Sequence, residues 1–68
     1  MNALSFDVGA RVVLFNLISK PQLNGRLGRV VRDFNRHTRR VGVLLEARSR
    51  DTAPIALKLT NIMRIHEW

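Results

Sequence analysis

Short apolar runs separated by polar turns make up most of the chain. Their apolar residues recur at every second position, which is the period of a β-strand. Five strands are predicted from these runs, at residues 10–15, 26–34, 40–47, 55–59 and 63–65. Residues 60–62 suit a single tight helical turn, and no apolar stripe with the 3.6-residue period of an α-helix occurs along the chain. The pattern therefore predicts an all-β fold.

The sharpest local signal is a turn that leads directly into an apolar strand. Asn24 and Gly25 form the strongest turn signal in the chain, because both residue types tolerate positive φ. Gly28 interrupts the strand that follows, and a glycine inside a strand marks a bulge, a bend or the close approach of another backbone. We expect a bend at Gly28 that brings both Val30 and Val31 into the core of a small curved barrel.

The longest connection predicted between strands covers residues 16–24. Pro21 rules out a central strand there, because proline lacks the amide donor that a sheet ladder needs. Leu17, Ile18 and Leu23 are apolar within this connection. We therefore expect it to fold back over one end of the barrel.

The length and the cysteine content limit how the fold is held together. A chain of 68 residues forms one domain, and a domain of this size buries only about 60% of the surface of its unfolded chain. The sequence contains no cysteine, so neither disulfides nor thiolate zinc sites can stabilise it. Packing alone, or packing together with self-association into a homo-oligomer, must do so.

The chain is strongly basic, with 12 Lys+Arg against 5 Asp+Glu and a formal net charge of +7. Ten of the twelve cations are arginine. This imbalance predicts attraction to polyanions, which are nucleic acid, acidic protein surfaces or anionic lipid. No apolar run approaches the ~20 residues that cross a bilayer, and the first residues lack the basic region of a signal peptide. We expect an intracellular protein without a membrane span.

Three segments, at residues 9–14, 20–31 and 55–62, resemble a family of small SH3-like barrel domains that accompany ankyrin repeats or MYND-type zinc fingers, largely in algae and other protists. The shared signature is a Pro-x-Leu-Asn-Gly loop at 21–25, then Gly-x-Val at 28–30 and an apolar-Lys stretch that ends in Asn-Ile at 61–62. The resemblance covers residues 9–65. It implies one domain over residues 1–68, a five-stranded antiparallel SH3-like barrel with a short 3-10 turn before the last strand.

The chain departs from this family pattern in three places. The hairpin around Asn35 is about one residue longer, Leu59 stands where proline is common, and arginine is unusually dense. The core glycine and valine also resemble, more weakly, the KOW motif, whose small barrels bind RNA and protein. The type II dihydrofolate reductases are a further relative in shape. Because residues 54–58 lack their Val-Gln-Ile-Tyr run, that activity is not carried over.

Neither catalysis nor a bound cofactor or metal is predicted. His37 and His66 stand alone, without cysteine and without a carboxylate at ligand spacing. The carboxylates are spread over different turns and are Asp7, Asp33, Glu46, Asp51 and Glu67. A general acid/base pair needs two convergent titratable groups, and this scatter does not supply them.

The arginines are the candidate binding residues, because they follow consecutive elements of the predicted meander. The predicted nucleic-acid-binding set is Arg29, Arg32, Arg36, Arg39, Arg40, Arg48 and Arg50. Arginine suits phosphate, since its planar fork donates two parallel hydrogen bonds. The sequence thus favours a non-catalytic module that binds an RNA or DNA backbone with weak sequence preference. The alternative for the same residues is a solvated surface in which arginine protects exposed sheet edges from aggregation.

Aromatic support for base stacking is thin. Phe6, Phe15 and Phe34 fall at positions where we expect buried side chains, which leaves Trp68 as a stacking platform. A terminal tryptophan is equally suited to cover the open end of a barrel.

A competing hypothesis is a protein-interaction module. Small barrels often carry their recognition surface on the loop between the first two strands. An acidic or extended peptide would then bind across residues 19–24 and the edge of the second strand, or the chain would pair with a second copy of itself.

Overall fold

The computed structural model describes residues 6–46 and 53–65. Within these ranges the chain forms one antiparallel sheet of five strands, which are β1 (Arg11–Leu14), β2 (Leu27–Asn35), β3 (Arg40–Leu45), β4 (Ile55–Lys58) and β5 (Ile62–Arg64). Two 3-10 turns, Pro21–Leu23 and Leu59–Asn61, complete the described elements. The all-β prediction is confirmed, as is the short 3-10 turn before the last strand.

The strand order across the sheet is β4-β3-β2-β1-β5. The two outermost strands, β4 and β5, follow each other in the chain and are joined only by the turn Leu59–Asn61. The sheet must therefore curl until its two outer strands meet at that turn. None of the described pairings joins β4 to β5, so closure into an SH3-like barrel stays a prediction.

The core consists of apolar side chains from all five strands. Its buried members are Val12, Leu14, Val30, Val41, Val43, Leu57 and Ile62. They lie on one face because side chains alternate along each strand. Phe6, Leu17 and Leu23 are partly buried against this cluster, which confirms that the connection after β1 folds back onto the core. Ile18 in the same connection is 89% exposed and does not join it.

Gly28 lies where two neighbouring strands approach closely. A Cβ at this position would stand 2.6 Å from Cγ1 of Val43 and 3.0 Å from the carbonyl oxygen of Leu44. No larger residue fits without movement of the core, so of the three features that a glycine inside a strand can mark, a close approach is the one found at Gly28.

The irregular pairing of β2 begins after Val30, not at Gly28. Val30 pairs with Val43, but Arg32 pairs with Gly42, which leaves Val31 as an extra residue. A second register shift lies between Arg32 and Asn35. Such bulges interrupt the alternation of side chains. The prediction that Val31 reaches the core is therefore wrong, and its side chain is 37% exposed.

Two of the phenylalanines expected to be buried are exposed. Phe15 is 38% exposed and Phe34 is 44% exposed. Phe15 follows the buried Leu14 and so falls on the opposite side of the chain, and Phe34 lies in the part of β2 beyond the bulge. Only Phe6 packs against the core, and it is half-buried. Trp68 lies outside the described residues.

Candidate nucleic-acid interface

Basic residues of β2, β3 and β4 lie side by side on the outer face of the sheet. Val41 and Val43 are buried, so the residues that alternate with them, Arg40 and Gly42, face away from the core. Across the strands, Gly42 pairs with Arg32 of β2 and with Ala56 of β4.

The next row of this face places two cations opposite each other. Arg40 pairs with Lys58 of β4 on one side and with Asn35 of β2 on the other. Arg40 and Lys58 are both exposed. Like charges directly opposite in an antiparallel pair destabilise the sheet. A bound anion between the two side chains would remove this repulsion.

The side chain of Arg32 lies flat against Gly42. A Cβ on Gly42 would stand 2.8 Å from Cβ of Arg32 and 3.2 Å from its Cδ. The aliphatic part of Arg32 thus covers the backbone of Gly42 on the outer face. Gly42 is buried as a result.

The β2–β3 turn is held in one conformation by Asn35. Its Oδ1 accepts hydrogen bonds from the backbone N–H of His37 at 2.8 Å and of Thr38 at 3.2 Å. The backbone N–H of Arg39 donates to the carbonyl oxygen of Asn35 at 2.6 Å, and Arg39 has φ 59°. Two exposed cations of this turn, Arg36 and Arg39, are therefore presented on an ordered support.

We use the name "basic surface" for the outer strip of β2, β3 and β4 together with the turn. Its members are Arg32, Arg36, Arg39, Arg40 and Lys58. Four of them belong to the set predicted from the sequence. Lys58 was not in that set, because its position opposite Arg40 depends on a pairing that no local pattern encodes. Arg48 and Arg50, also predicted, lie outside the described residues.

Arg29, also in the predicted set, is exposed and pairs with Leu44 of β3, one row from Arg32 on the same outer face. Its Nη1 donates to the carbonyl oxygen of Gly9 at 3.0 Å, which ties β2 to the segment before β1. Its cross-strand partner is Arg11, whose Nε donates to Oε2 of Glu46 at 2.8 Å and whose Nη2 donates to Oε1 at 3.1 Å. This end of the outer face therefore combines cations with a carboxylate.

Residues 31–40 are all exposed. This stretch includes Phe34, which lies two residues after Arg32 on β2 and has an exposed ring. The sequence pattern predicts a buried ring because it does not reveal the two register shifts of β2.

A groove of about 500 Å³ adjoins the basic surface. It runs between the connection after β1 and the strand β4 with the turn that follows it. Its lining includes Ile18, Lys20 and Leu23 from the connection, Ile55 and Lys58 from β4, and Arg40 from β3. None of the described residues that line it is a carboxylate.

Two asparagine side chains fix the wall of this groove that the connection forms. Oδ1 of Asn24 accepts from the backbone N–H of Leu17 at 2.8 Å, and Nδ2 donates to the carbonyl oxygen of Leu17 at 3.2 Å. Nδ2 of Asn61 donates to the carbonyl oxygens of Phe15 at 3.1 Å and Asn16 at 3.0 Å. Asn24 thus stabilises the connection through its side-chain amide, and its own φ is −62°. The positive φ of the Asn24-Gly25 turn is at Gly25, with φ 86°.

Other site types find no support in the part of the chain that the structure describes. No group of three or more His, Asp or Glu side chains there could hold a metal ion. No helix within residues 6–46 and 53–65 has the length and apolar character to cross a membrane. Comparison of the chain with protein-family models, curated proteins and solved structures gave no match.

Proposed function

We propose that this chain is a non-catalytic module that binds the backbone of RNA or DNA through the basic surface. The observation that carries the proposal is the pairing of Arg40 with Lys58, next to the row that holds Arg32. Five cations then share one strip and its adjoining turn. A polyanion neutralises them together, since each phosphate contact releases a condensed counterion.

The chemistry of the side chains supports a phosphate backbone as the ligand. Four of the five cations are arginine, whose guanidinium binds phosphate oxygens through two donors. Contacts to phosphate carry no sequence information, so sequence preference is weak. The exposed ring of Phe34 adds one stacking face, which favours a single strand with accessible bases.

A titration at two salt concentrations tests the proposal. A labelled single-stranded oligonucleotide is titrated with the protein at about 50 mM and 200 mM salt, and its anisotropy gives Kd. If all five cations contact phosphate, log K falls with log salt with a slope of about −3.5 on a single strand and −4.5 on a duplex. Affinity that does not fall with salt overturns the proposal.

Matched charge variants show whether the basic surface carries the binding. Arg36→Gln and Arg39→Gln should each make the slope shallower by about 0.7 on a single strand. Arg26→Gln is the control, because Arg26 is exposed and lies outside the basic surface while the change in net charge is the same. Equal effects of all three variants would mean that net charge, not the basic surface, determines affinity.

A further inference from the structure

We infer that the groove beside β4 is a second docking site, which overlaps the basic surface at Arg40 and Lys58, for an extended acidic peptide that binds as an added strand along the outer edge of β4. This inference does not rest on nucleic-acid binding. Three features of the groove support it: the position of β4, the two sides of that strand, and the charge of the lining.

β4 is the outermost strand on its side of the sheet. It pairs with β3 over Ile55–Lys58, and no described strand lies on its other side. In an antiparallel pair, alternate residues direct their N–H and C=O groups away from the partner strand. Such an edge is a template for a further strand. The four residues of β4 span roughly 13 Å, enough for about four residues of an extended peptide.

The two sides of β4 determine the side chains that such a peptide needs. Ala56 and Lys58 face outward, and Ile55 and Leu57 face the core side, as their pairing with β3 requires. An added strand continues the same alternation. Its outward side chains lie near Lys58, and its other side chains lie near Ile55. A peptide in which acidic and apolar residues alternate satisfies both sides.

The charge of the groove decides among occupants. Lys20, Arg40 and Lys58 line it, so it favours carboxylates over neutral or basic side chains. A second copy of this chain is disfavoured, because each copy carries a formal net charge of +7. The described lining contains no aromatic side chain on which a nucleic-acid base could stack. Since Arg40 and Lys58 belong to both sites, the peptide and a nucleic acid compete.

The probe is a fluorescein-labelled synthetic peptide in which glutamate alternates with valine. Its anisotropy is measured with the full chain, and a peptide with glutamine in place of glutamate is the neutral control. We expect saturable binding that is at least about fivefold weaker for the neutral peptide. Absence of binding, or equal affinity for the two peptides, overturns the inference.

Strand addition is tested on the peptide backbone, which leaves the protein unchanged. Two further peptides carry N-methyl groups on alternate amides, one in each frame. Only the frame whose N–H groups face β4 should lose affinity, by about three- to tenfold for each hydrogen bond removed. Equal losses in both frames, or no loss, would contradict binding by strand addition.

Two protein variants test the location. Ile18→Ser and Lys20→Gln change exposed side chains of the groove that lie outside the basic surface. We expect Ile18→Ser to lower the affinity for the peptide about tenfold. Lys20→Gln should lower it by up to about fivefold. Arg36→Gln, which removes the same charge as Lys20→Gln from the basic surface, should leave it unchanged.

The same experiments distinguish the peptide from other ligands that could fill the groove. If Ile18→Ser and Lys20→Gln weaken oligonucleotide binding but not peptide binding, the groove belongs to the nucleic-acid site and the inference is wrong. Sedimentation of the chain alone covers the remaining case. Self-association that Ile18→Ser abolishes would assign the groove to a second copy.

Discussion

The Cβ of Arg32 would lie 2.8 Å from a Cβ on Gly42, so the glycine leaves room for the side chain that crosses it. The contact is between neighbouring strands on the outer face of the sheet. Arg32 lies on this face because the bulge at Val31 changes the alternation along β2. Gly42 therefore allows Arg32 to occupy the outer face, because a side chain on residue 42 would collide with it.

Gly42→Ala should displace Arg32 and destabilise the fold. The new methyl group would collide with Cβ and Cγ of Arg32, which sit too close to the backbone to move freely. We expect the free energy of unfolding in urea to fall by about 1–3 kcal/mol, with weaker oligonucleotide binding. An unchanged unfolding midpoint would show that Arg32 is free to leave this position.

Gly28→Ala tests the same kind of close contact on the side of the sheet that faces the core. Its Cβ would stand 2.6 Å from a methyl carbon of the buried Val43 and 3.0 Å from the backbone oxygen of Leu44. Core side chains and backbone atoms move less readily than a surface side chain. The free energy of unfolding in urea should therefore fall further than it does for Gly42→Ala. Oligonucleotide binding by the folded fraction should not change, since Gly28 faces away from the basic surface.

Asn24→Asp should loosen the connection after β1. An aspartate can still accept from the backbone N–H of Leu17, but it cannot donate to the carbonyl oxygen that Nδ2 now contacts at 3.2 Å. We expect a loss of about 1–3 kcal/mol in the free energy of unfolding, since the donor is replaced by a charged acceptor. Gln22→Ala, an exposed change in the same connection, is the control and should have no measurable effect.

Arg39→Gly separates the charge of Arg39 from its place in the turn. Arg39 has φ 59°, a conformation that glycine adopts without the strain of a Cβ. We expect weaker oligonucleotide binding, with stability in thermal unfolding unchanged or higher by up to about 1 kcal/mol. A clear loss of stability would indicate that the arginine side chain supports the turn.

Phe34→Ala tests the stacking face. The ring is 44% exposed, so its removal should cost much less than the 3–5 kcal/mol of a buried phenylalanine. Binding to a single strand should weaken by about 1–3 kcal/mol if one base stacks on the ring. Binding to a duplex, whose bases are already stacked, serves as the comparison, and equal losses on both targets would exclude stacking.

Much of the fold is readable from the sequence because it depends on local alternation. The strand positions follow from apolar residues at every second position, and the described strand ends differ from the predicted ones by at most two residues. The same local logic marks Gly28 as a special position but leaves a bulge, a bend and a close approach open. Phe34 shows the limit, because it lies in the part of β2 with two register shifts, which local alternation does not reveal, and its ring is exposed.

The candidate site was predicted in composition but not in arrangement. The excess of arginine predicts a polyanion as ligand, and the sequence places Arg36 and Arg39 in the predicted binding set. Their ordering by the side chain of Asn35, and the engagement of Arg29 with Gly9, depend on hydrogen bonds that a pattern of residue types does not specify.

The sequence by itself determined the strands, the all-β class and the basic character of this protein, because these depend on neighbouring residues and on total charge. The tertiary structure decided that Arg40 lies opposite Lys58, that Arg32 lies over Gly42, and that a groove opens beside β4. These relationships join residues far apart in the chain. Each depends on the register between strands, which is set by the packing of the whole core and by where the bulges of β2 fall.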